Sequence, residues 1–340
     1  MIRDQWYAIL NANEVKSGRL SGVTRMGEKL VLWRDQAGKV TCLVDRCPHR
    51  GVALSAGKLI KNCPGTHLQC PFHGFEFDAS GRCTCIPANG KNTPVPKAFQ
   101  VPGYPTWEAY GFIWIWWGHS RPELPPVRFF DAITPSMSYT TLKDHWRTHY
   151  SRAIENQLDV VHLPFVHHNT IGRGNRSLVD GPLARWENDP VDSNLLNLWV
   201  YNRIDDGTPP RKAREIPTPT RNPFLQFRFP NIWHNWISSN MHITVAFAPI
   251  DAENTMLYLR MHQDIVRTPV LREIMNGLGT LGNLIIERQD KRVVETQLPK
   301  RSDLQMGEKL IQGDGPIIAY RRRRTELILQ SKGVADENLR

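Results

Sequence analysis

Two short stretches, CPHRG at residues 47–51 and CPFHG at residues 70–74, constrain this chain more than any other part of its 340 residues. Each offers one cysteine and one histidine: Cys47 and His49 two positions apart, Cys70 and His73 three apart. Pro48 and Pro71 stiffen the two loops, and Gly51 and Gly74 let the backbone turn tightly. Two thiolates and two imidazoles on tight loops are a metal-ligand set. A zinc site could use the same four residues, but zinc fingers usually pair Cys with Cys and His with His at close spacing, whereas here each loop supplies one of each. The mixed arrangement fits a 2Fe–2S centre in which one iron takes the two cysteines and the other the two histidines. Neutral imidazoles in place of thiolates leave such a cluster less negative and raise its reduction potential.

Composition narrows the rest. All six cysteines, at 42, 47, 63, 70, 83 and 85, fall in the first quarter, so no disulfide framework holds the whole chain together. Cys42, Cys63, Cys83 and Cys85 have no partner at motif spacing and read as packing residues. The longest apolar run, FIWIWW at 112–117, is far too short to cross a bilayer. The start shows no secretory pattern, and the expected location is the cytoplasm, away from any membrane. A formal charge of +10 invites nucleic acid as a partner, yet most basic residues are scattered among acids and only Arg321 to Arg324 form a block. No helix-turn-helix, zinc-finger or aromatic RNA-binding motif accompanies it. A solvated helix face, or a docking patch for an acidic protein, is the expectation rather than a nucleic-acid footprint.

Along the chain, residues 1 to about 118 read as short strands and turns, with EKLVLWR (28–34), KVTCLVD (39–45) and FIWIWW as the clearest strands. The Pro-rich stretch SRPELPPVRFF (120–130) reads as a connection. Beyond it, residues 144–163 have helical spacing, segments 195–204, 223–237, 242–250 and 255–265 read as strands, and 269–297 returns to helix. Strands flanked by helices suggest an α+β domain with an antiparallel sheet. GLGTLG (277–282) matches the dinucleotide fingerprint by letter, but its lead-in LREIMN is charged and helix-like where a buried strand is required. It is read as a helix packed closely on a neighbour.

A second constellation lies in ENQLDVVHLPFVHHN (155–169), where Asp159, His162 and His167 follow one another. On a helix Asp159 and His162 share a face, so the carboxylate can orient the imidazole. His167 would not share it, and Pro164 is expected to break the helix and bring His167 back beside His162. Two histidines and one carboxylate make the facial triad of mononuclear iron sites, which leaves positions open for dioxygen and substrate. A carboxylate is therefore needed from elsewhere, and residues 285–297 offer Glu287, Asp290 and Glu295.

Taken together, CPHRG…CPFHGFEFD, DVVHLPFVH and RQDKRVVETQ resemble the terminal oxygenase alpha subunits of the Rieske non-haem iron oxygenases, in the family's order and over nearly the whole chain. The segment between the two loops is a few residues longer than is usual in that family. The resemblance implies an α+β protein: an N-terminal all-β Rieske domain (1–125) followed by a helix-grip catalytic domain with an antiparallel sheet (126–340). It implies one 2Fe–2S cluster on Cys47, His49, Cys70 and His73, and one mononuclear Fe(II) on His162, His167 and Asp290, with Glu287 as the fallback ligand. Asn156 stands where the family often has an asparagine near the iron. Asp159 matches the residue that bridges imidazoles of the two centres across subunits of a head-to-tail trimer.

The implied activity is hydroxylation or oxidative demethylation of an aromatic or alkaloid-like small molecule with O2 as co-substrate, fed by an external ferredoxin or reductase. FPNIWHNWISSN (229–240) supplies Trp233, His234, Asn235 and Trp236 as expected pocket residues. The rival readings are a Rieske electron-transfer protein with a ligand-binding domain and no oxygen chemistry, and a zinc-stabilised module.

Overall fold

The protein is described from a computed structural model covering residues 1–61, 65–187 and 194–337. Cys63 lies outside the described residues. The chain forms two compact units: Asp4–Val127, and Arg128–Arg340 together with Met1–Arg3. No helix among the described residues is long and apolar enough to cross a membrane.

The first unit is all β. In chain order its strands are β1 (Gln5–Asn11), β2 (Ser21–Arg25), β3 (Glu28–Arg34), β4 (Val40–Val44), β5 (Lys58–Lys61) and β6 (Thr66–Gln69), then β7 (Glu76–Phe77), β8 (Cys83–Cys85), β9 (Gly103–Tyr104), β10 (Thr106–Ala109) and β11 (Phe112–Trp117). They pair as β1-β11-β10, β2-β3-β4-β9 and β5-β6-β7-β8. Two-residue turns close the β2–β3 and β10–β11 hairpins: Met26-Gly27 (φ 52° and 82°) and Tyr110-Gly111 (φ 55° and 71°). Positive φ at both positions gives the turn a twist that matches its flanking strands. All six residues of β11 are buried, because it is the middle strand of its sheet.

The second unit is built on a seven-stranded antiparallel sheet. Its strands are β12 (Ser138–Trp146), β13 (Leu178–Trp186), β14 (Leu195–Arg203), β15 (Leu225–Arg228), β16 (Ile232–Ser238), β17 (Met241–Pro249) and β18 (Thr255–Gln263), in the order β12-β18-β17-β16-β15-β14-β13. Its helices are α1 (Tyr150–Leu158), α2 (Leu163–Val166), α3 (Pro269–Val294) and α4 (Gly315–Glu337). Tyr150, Ala153, Ile154 and Leu158 of α1 join Phe227, Phe247, Leu257, Val294 and Tyr320 in one core.

Three expectations change here. Residues 144–146 are not helical: they finish β12, whose ladder to β18 runs from Ser138 opposite Gln263 to Trp146 opposite Thr255, so long-range pairing overrides a helical pattern. The run 223–237 is two strands, because Pro230 cannot donate to a ladder and falls in the turn between β15 and β16. The Arg321–Arg324 block is only in part a solvated face: Arg322 is exposed and Arg323 half-buried. Arg321 and Arg324 are buried on the inner side of α4. Arg321 pairs with Glu155 of α1 at 2.7 Å and with Glu308 at 2.8 Å, and Arg152 pairs with the same two carboxylates at 3.2 and 2.8 Å.

This four-membered network pins α4 to α1. Removing one member strands its partners in low dielectric. Glu155→Gln is expected to cost about 3 kcal/mol or more of unfolding free energy, read from a urea titration. A loss below about 1 kcal/mol, the value of an exposed pair, would show that the network is not stabilising.

Candidate metal centres and substrate cavity

The two Cys/His loops fold alike. In the first, Cys47 N–H donates to Val52 O (2.8 Å) and Gly51 N–H to Cys47 O (2.9 Å); in the second, Cys70 N–H donates to Phe75 O (2.8 Å) and Gly74 N–H to Cys70 O (3.1 Å). Gly51 and Gly74 close them at φ 75° and 74°, where a side chain would be strained. Cys47 and Cys70 point into the core beside Leu68, Phe75 and Phe77. His49 and His73 sit on the exposed side, their ring centroids 4.8 Å apart, with His49 stacked on Phe75 at 4.9 Å. Burial, with the neighbouring Cys70 thiol, pushes the Cys47 thiol up. Two adjacent buried thiols that are not joined to each other, facing two exposed imidazoles, suit a cluster buried at its sulfur end and exposed at its nitrogen end.

The second centre lies on α1, α2 and α3. The amphipathic α1 ends at Leu158 because the Asp159 carboxylate takes the Val161 N–H (Oδ1, 2.8 Å), giving the backbone an alternative to another helical turn. Pro164 then sits in the first turn of α2, where a missing N–H costs nothing. The expectation that Pro164 breaks a helix is therefore corrected: it starts one. Asp159 caps the end of α1, and His162 and His167 bracket the single turn of α2, so Asp159 and His162 do not share a helix face.

His162 Nε2 lies 3.4 Å and His167 Nε2 3.0 Å from Asp290 Oδ1, and one ligand atom from each of the three falls within 4.8 Å of the others. The His167 ring is fixed from behind by Gln289 Oε1, 2.8 Å from Nδ1, which Thr170 and Asn169 hold in turn. A proton on Nδ1 leaves Nε2 as the ligand atom. Gln157 Nε2 donates to Asp290 Oδ2 at 3.4 Å. Asp159 Oδ2 faces His162 Nδ1 at 3.6 Å, beyond hydrogen-bond range.

Burial alone would raise the Asp290 pKa, but the two imidazoles hold the carboxyl at about 2. Burial would lower His162, but Asp159 and Asp290 raise it to about 9. Asp290 Oδ1 and His162 Nδ1 are nevertheless buried without a protein hydrogen bond. An anionic oxygen between two ring nitrogens, none well bonded to the others, fits a divalent cation taking two nitrogens and one oxygen.

A cavity of about 740 Å³ opens beside these residues, within the usual range for a drug-sized ligand. Val160, Ile243, Val245, Leu257 and Leu259 give it apolar walls. Asn156 Nδ2, Trp233 Nε1 and Asn235 Oδ1 line it as buried polar atoms without a protein partner. Of the four residues expected from FPNIWHNWISSN, Trp233 and Asn235 are on the cavity wall. His234 and Trp236 are not: side chains alternate along β16, and these two pack on the other face of the sheet against His242. GLGTLG lies wholly inside α3, and a Cβ on Gly279 would meet the Met261 side chain at 2.1 Å, which explains that glycine by close packing.

Glu287 also lines the cavity but is turned toward Trp146 Nε1 and Asp144, away from the triad. Burial and the Asp144 carboxylate push it up to about 8. From about pH 5 to 8 the folded protein must therefore keep a proton that the unfolded chain has released, so this site lowers stability as pH rises through that window. Glu287→Gln is expected to raise stability by ~1–2 kcal/mol at pH 8 and to leave it unchanged at pH 4, measured by denaturant midpoints at the two pH values. Equal effects at both would show that the proton is not held. Neither Glu287 nor the orienting Gln289 and Gln157 is marked by motif spacing; Gln289 has only its place beside Asp290 as a signal.

A two-loop Cys/His unit followed by two histidines and one carboxylate beside an antiparallel sheet is the arrangement of the Rieske non-haem iron oxygenase family. Residues 5–105 match the Rieske [2Fe-2S] domain and residues 146–330 the vanillate O-demethylase oxygenase C-terminal domain, and the chain belongs to the Rieske non-haem iron oxygenases. It is similar to pheophorbide a oxygenase of Oryza sativa subsp. japonica (30% identity over 219 residues, 61% of this chain and 39% of that one). It is also similar to methylxanthine N3-demethylase NdmB of Pseudomonas putida (30% over 229 residues, 64% and 59%). The chain thus spans less than two-thirds of either relative. Among solved structures, NdmB of Pseudomonas putida CBB5 shares the fold with a TM-score of 0.73 at 22% identity, covering 96% of this chain and 93% of that one. Dicamba monooxygenase bound to dicamba shares it with a TM-score of 0.71 at 18% identity, covering 98% and 99%.

Proposed function

We propose that this chain is a terminal oxygenase that hydroxylates or oxidatively demethylates an aromatic or alkaloid-like small molecule. The observation that carries this reading is the convergence of His162, His167 and Asp290 beside a cavity large enough for such a substrate, in a chain that also bears the Cys/His loops. Cys47, Cys70, His49 and His73 would hold a 2Fe–2S cluster, and His162, His167 and Asp290 a mononuclear ferrous ion. When bound, the cluster supplies single electrons and the ferrous ion activates dioxygen.

The protein's own residues do the rest. Gln289 keeps the His167 proton on Nδ1, and Gln157 steadies the far oxygen of Asp290. Val160, Val245 and Leu257 exclude water and hold an apolar ring, while Asn156, Trp233 and Asn235 supply the few polar contacts that orient it. Asp159, a quarter exposed at its side chain and 3.6 Å from His162 Nδ1, would link His162 to an imidazole of a neighbouring Rieske domain in a homotrimer. Electrons would come from a ferredoxin or reductase in the cytoplasm, since GLGTLG has no strand to lead a nucleotide onto α3. The +10 charge favours an acidic donor, and the encounter should slow as salt rises.

Metal analysis of the purified protein and a screen of aromatic and alkaloid-like compounds with a surrogate reductase test the reading. About three irons per chain with substrate-dependent oxygen uptake supports it. About two irons and no uptake would make the chain an electron carrier, and zinc without iron a structural module.

A further inference from the structure

Helix α3 has a buried, largely polar face and an exposed apolar one, and the site accounts for only the first. Asn276, Asn283, Glu287, Asp290 and Val294 are buried and face the sheet and the cavity. On the opposite side Leu271, Ile274, Leu278, Leu281 and Ile285 are 57%, 55%, 67%, 56% and 48% exposed. Their spacing of three, four, three and four residues is that of a helix-pairing seam, and it runs for about 21 Å at 1.5 Å per residue. A row of large apolar side chains this regular is not the scattered exposure of an ordinary surface.

The inner part of the seam, Ile274 to Ile285, is also a palindrome, while Leu271 falls opposite Arg288 and outside it. Reversing the helix about the midpoint between Gly279 and Thr280 places Leu278 on Leu281, Ile274 on Ile285 and Gly277 on Gly282. A two-fold contact is self-complementary in this way: residue i meets j, and j meets i. Gly277 and Gly282 flank the two central leucines, and among the described residues a Cβ on either would meet nothing within 4 Å beyond its own helix, unlike one on Gly279. Glycine weakens a helix interior, so two glycines without an intrachain reason suit the close approach of a second backbone.

Charge selects the occupant. From Leu271 to Ile285 the only charged residues are Arg272 and Glu273, which pair with each other at 3.1 Å. The patch is neutral on a chain of charge +10, so two copies can meet there without like-charge repulsion. An anionic membrane surface would instead call for basic residues interleaved along the seam.

We propose that α3 is a self-association surface on which two copies pack antiparallel about a two-fold axis, Leu278 of one against Leu281 of the other and Ile274 against Ile285. Combined with the head-to-tail trimer proposed above, a two-fold contact of this kind makes six copies. The test uses the full-length, iron-loaded protein. Sedimentation equilibrium should show Leu278→Glu halving the mass while the visible cluster absorption is retained, and an unchanged mass overturns the proposal. A second pair of variants does not depend on disrupting anything. Ile274 and Ile285 are about 16 Å apart along one helix, too far for an intrachain bridge. Under oxidised glutathione, Ile274→Cys/Ile285→Cys should form covalent dimers, and neither single change should. No dimer from the double variant, or as much dimer from the single Ile274→Cys variant, overturns the antiparallel contact. Flotation of the wild-type protein with phosphatidylglycerol vesicles, lost in Leu278→Glu, would assign the seam to a membrane surface and overturn it as well.

Discussion

His162→Ala is expected to lower the iron content from about three to about two per chain and to cut substrate-dependent turnover by at least ~10³-fold, equivalent to ~4 kcal/mol of barrier. The visible spectrum of the cluster should be unchanged. The physical reason is the way the site is shared. His167 is 1% exposed and held from behind by Gln289, and Asp290 is fixed by Gln157, so two donors survive the substitution in place. Two donors do not complete a facial site, and the Asp290 carboxylate is left buried with half of its compensation. Iron analysis alone decides the first half of the prediction before any substrate is known. Retention of a third iron with turnover intact would remove His162 from the site.

Asp159→Asn is expected to do the opposite: keep all the iron and slow the reoxidation of the chemically reduced cluster by dioxygen and substrate, by about 10–100-fold. Asparagine preserves the turn that ends α1, because its side-chain oxygen can accept the Val161 N–H as Asp159 Oδ1 does. What it removes is the negative charge 3.6 Å from His162 Nδ1, one of the two charges that raise that imidazole. A stopped-flow trace of cluster absorbance reads the effect directly. If the variant reoxidises at the wild-type rate, Asp159 is only a helix stop.

Much of this site was legible because its parts are local. Cys47, His49, Cys70 and His73 lie on two five-residue loops whose own backbone hydrogen bonds close them, so identity and spacing nearly determine geometry. Asp159, His162 and His167 lie within nine residues, and their order could be read even though the helix expected to carry them is in fact two helices with a capped break. The pocket residues were less readable. Period-two alternation along β16 means that FPNIWHNWISSN divides between two faces, and only the sheet's packing says which face sees the cavity, so Trp233 and Asn235 line it while His234 and Trp236 do not. The arginine block misled for a similar reason: four consecutive charges look solvated until Glu155 and Glu308 arrive from elsewhere.

The amino-acid sequence by itself determined the ligand types, the two loops and the division into a strand-rich first part and a mixed second part. These follow from short-range chemistry: side-chain identity, glycine at positive φ and proline without a donor. The tertiary structure alone decided that Glu287 turns to Trp146 and away from the two histidines, that Gln289 sets the His167 tautomer, and that α3 turns one face to the cavity and leaves a neutral apolar seam outside. Those outcomes depend on how a 26-residue helix is rotated against a seven-stranded sheet. That rotation is set by burial summed over the whole unit, such as Gly279 closing on Met261, which no window of sequence contains.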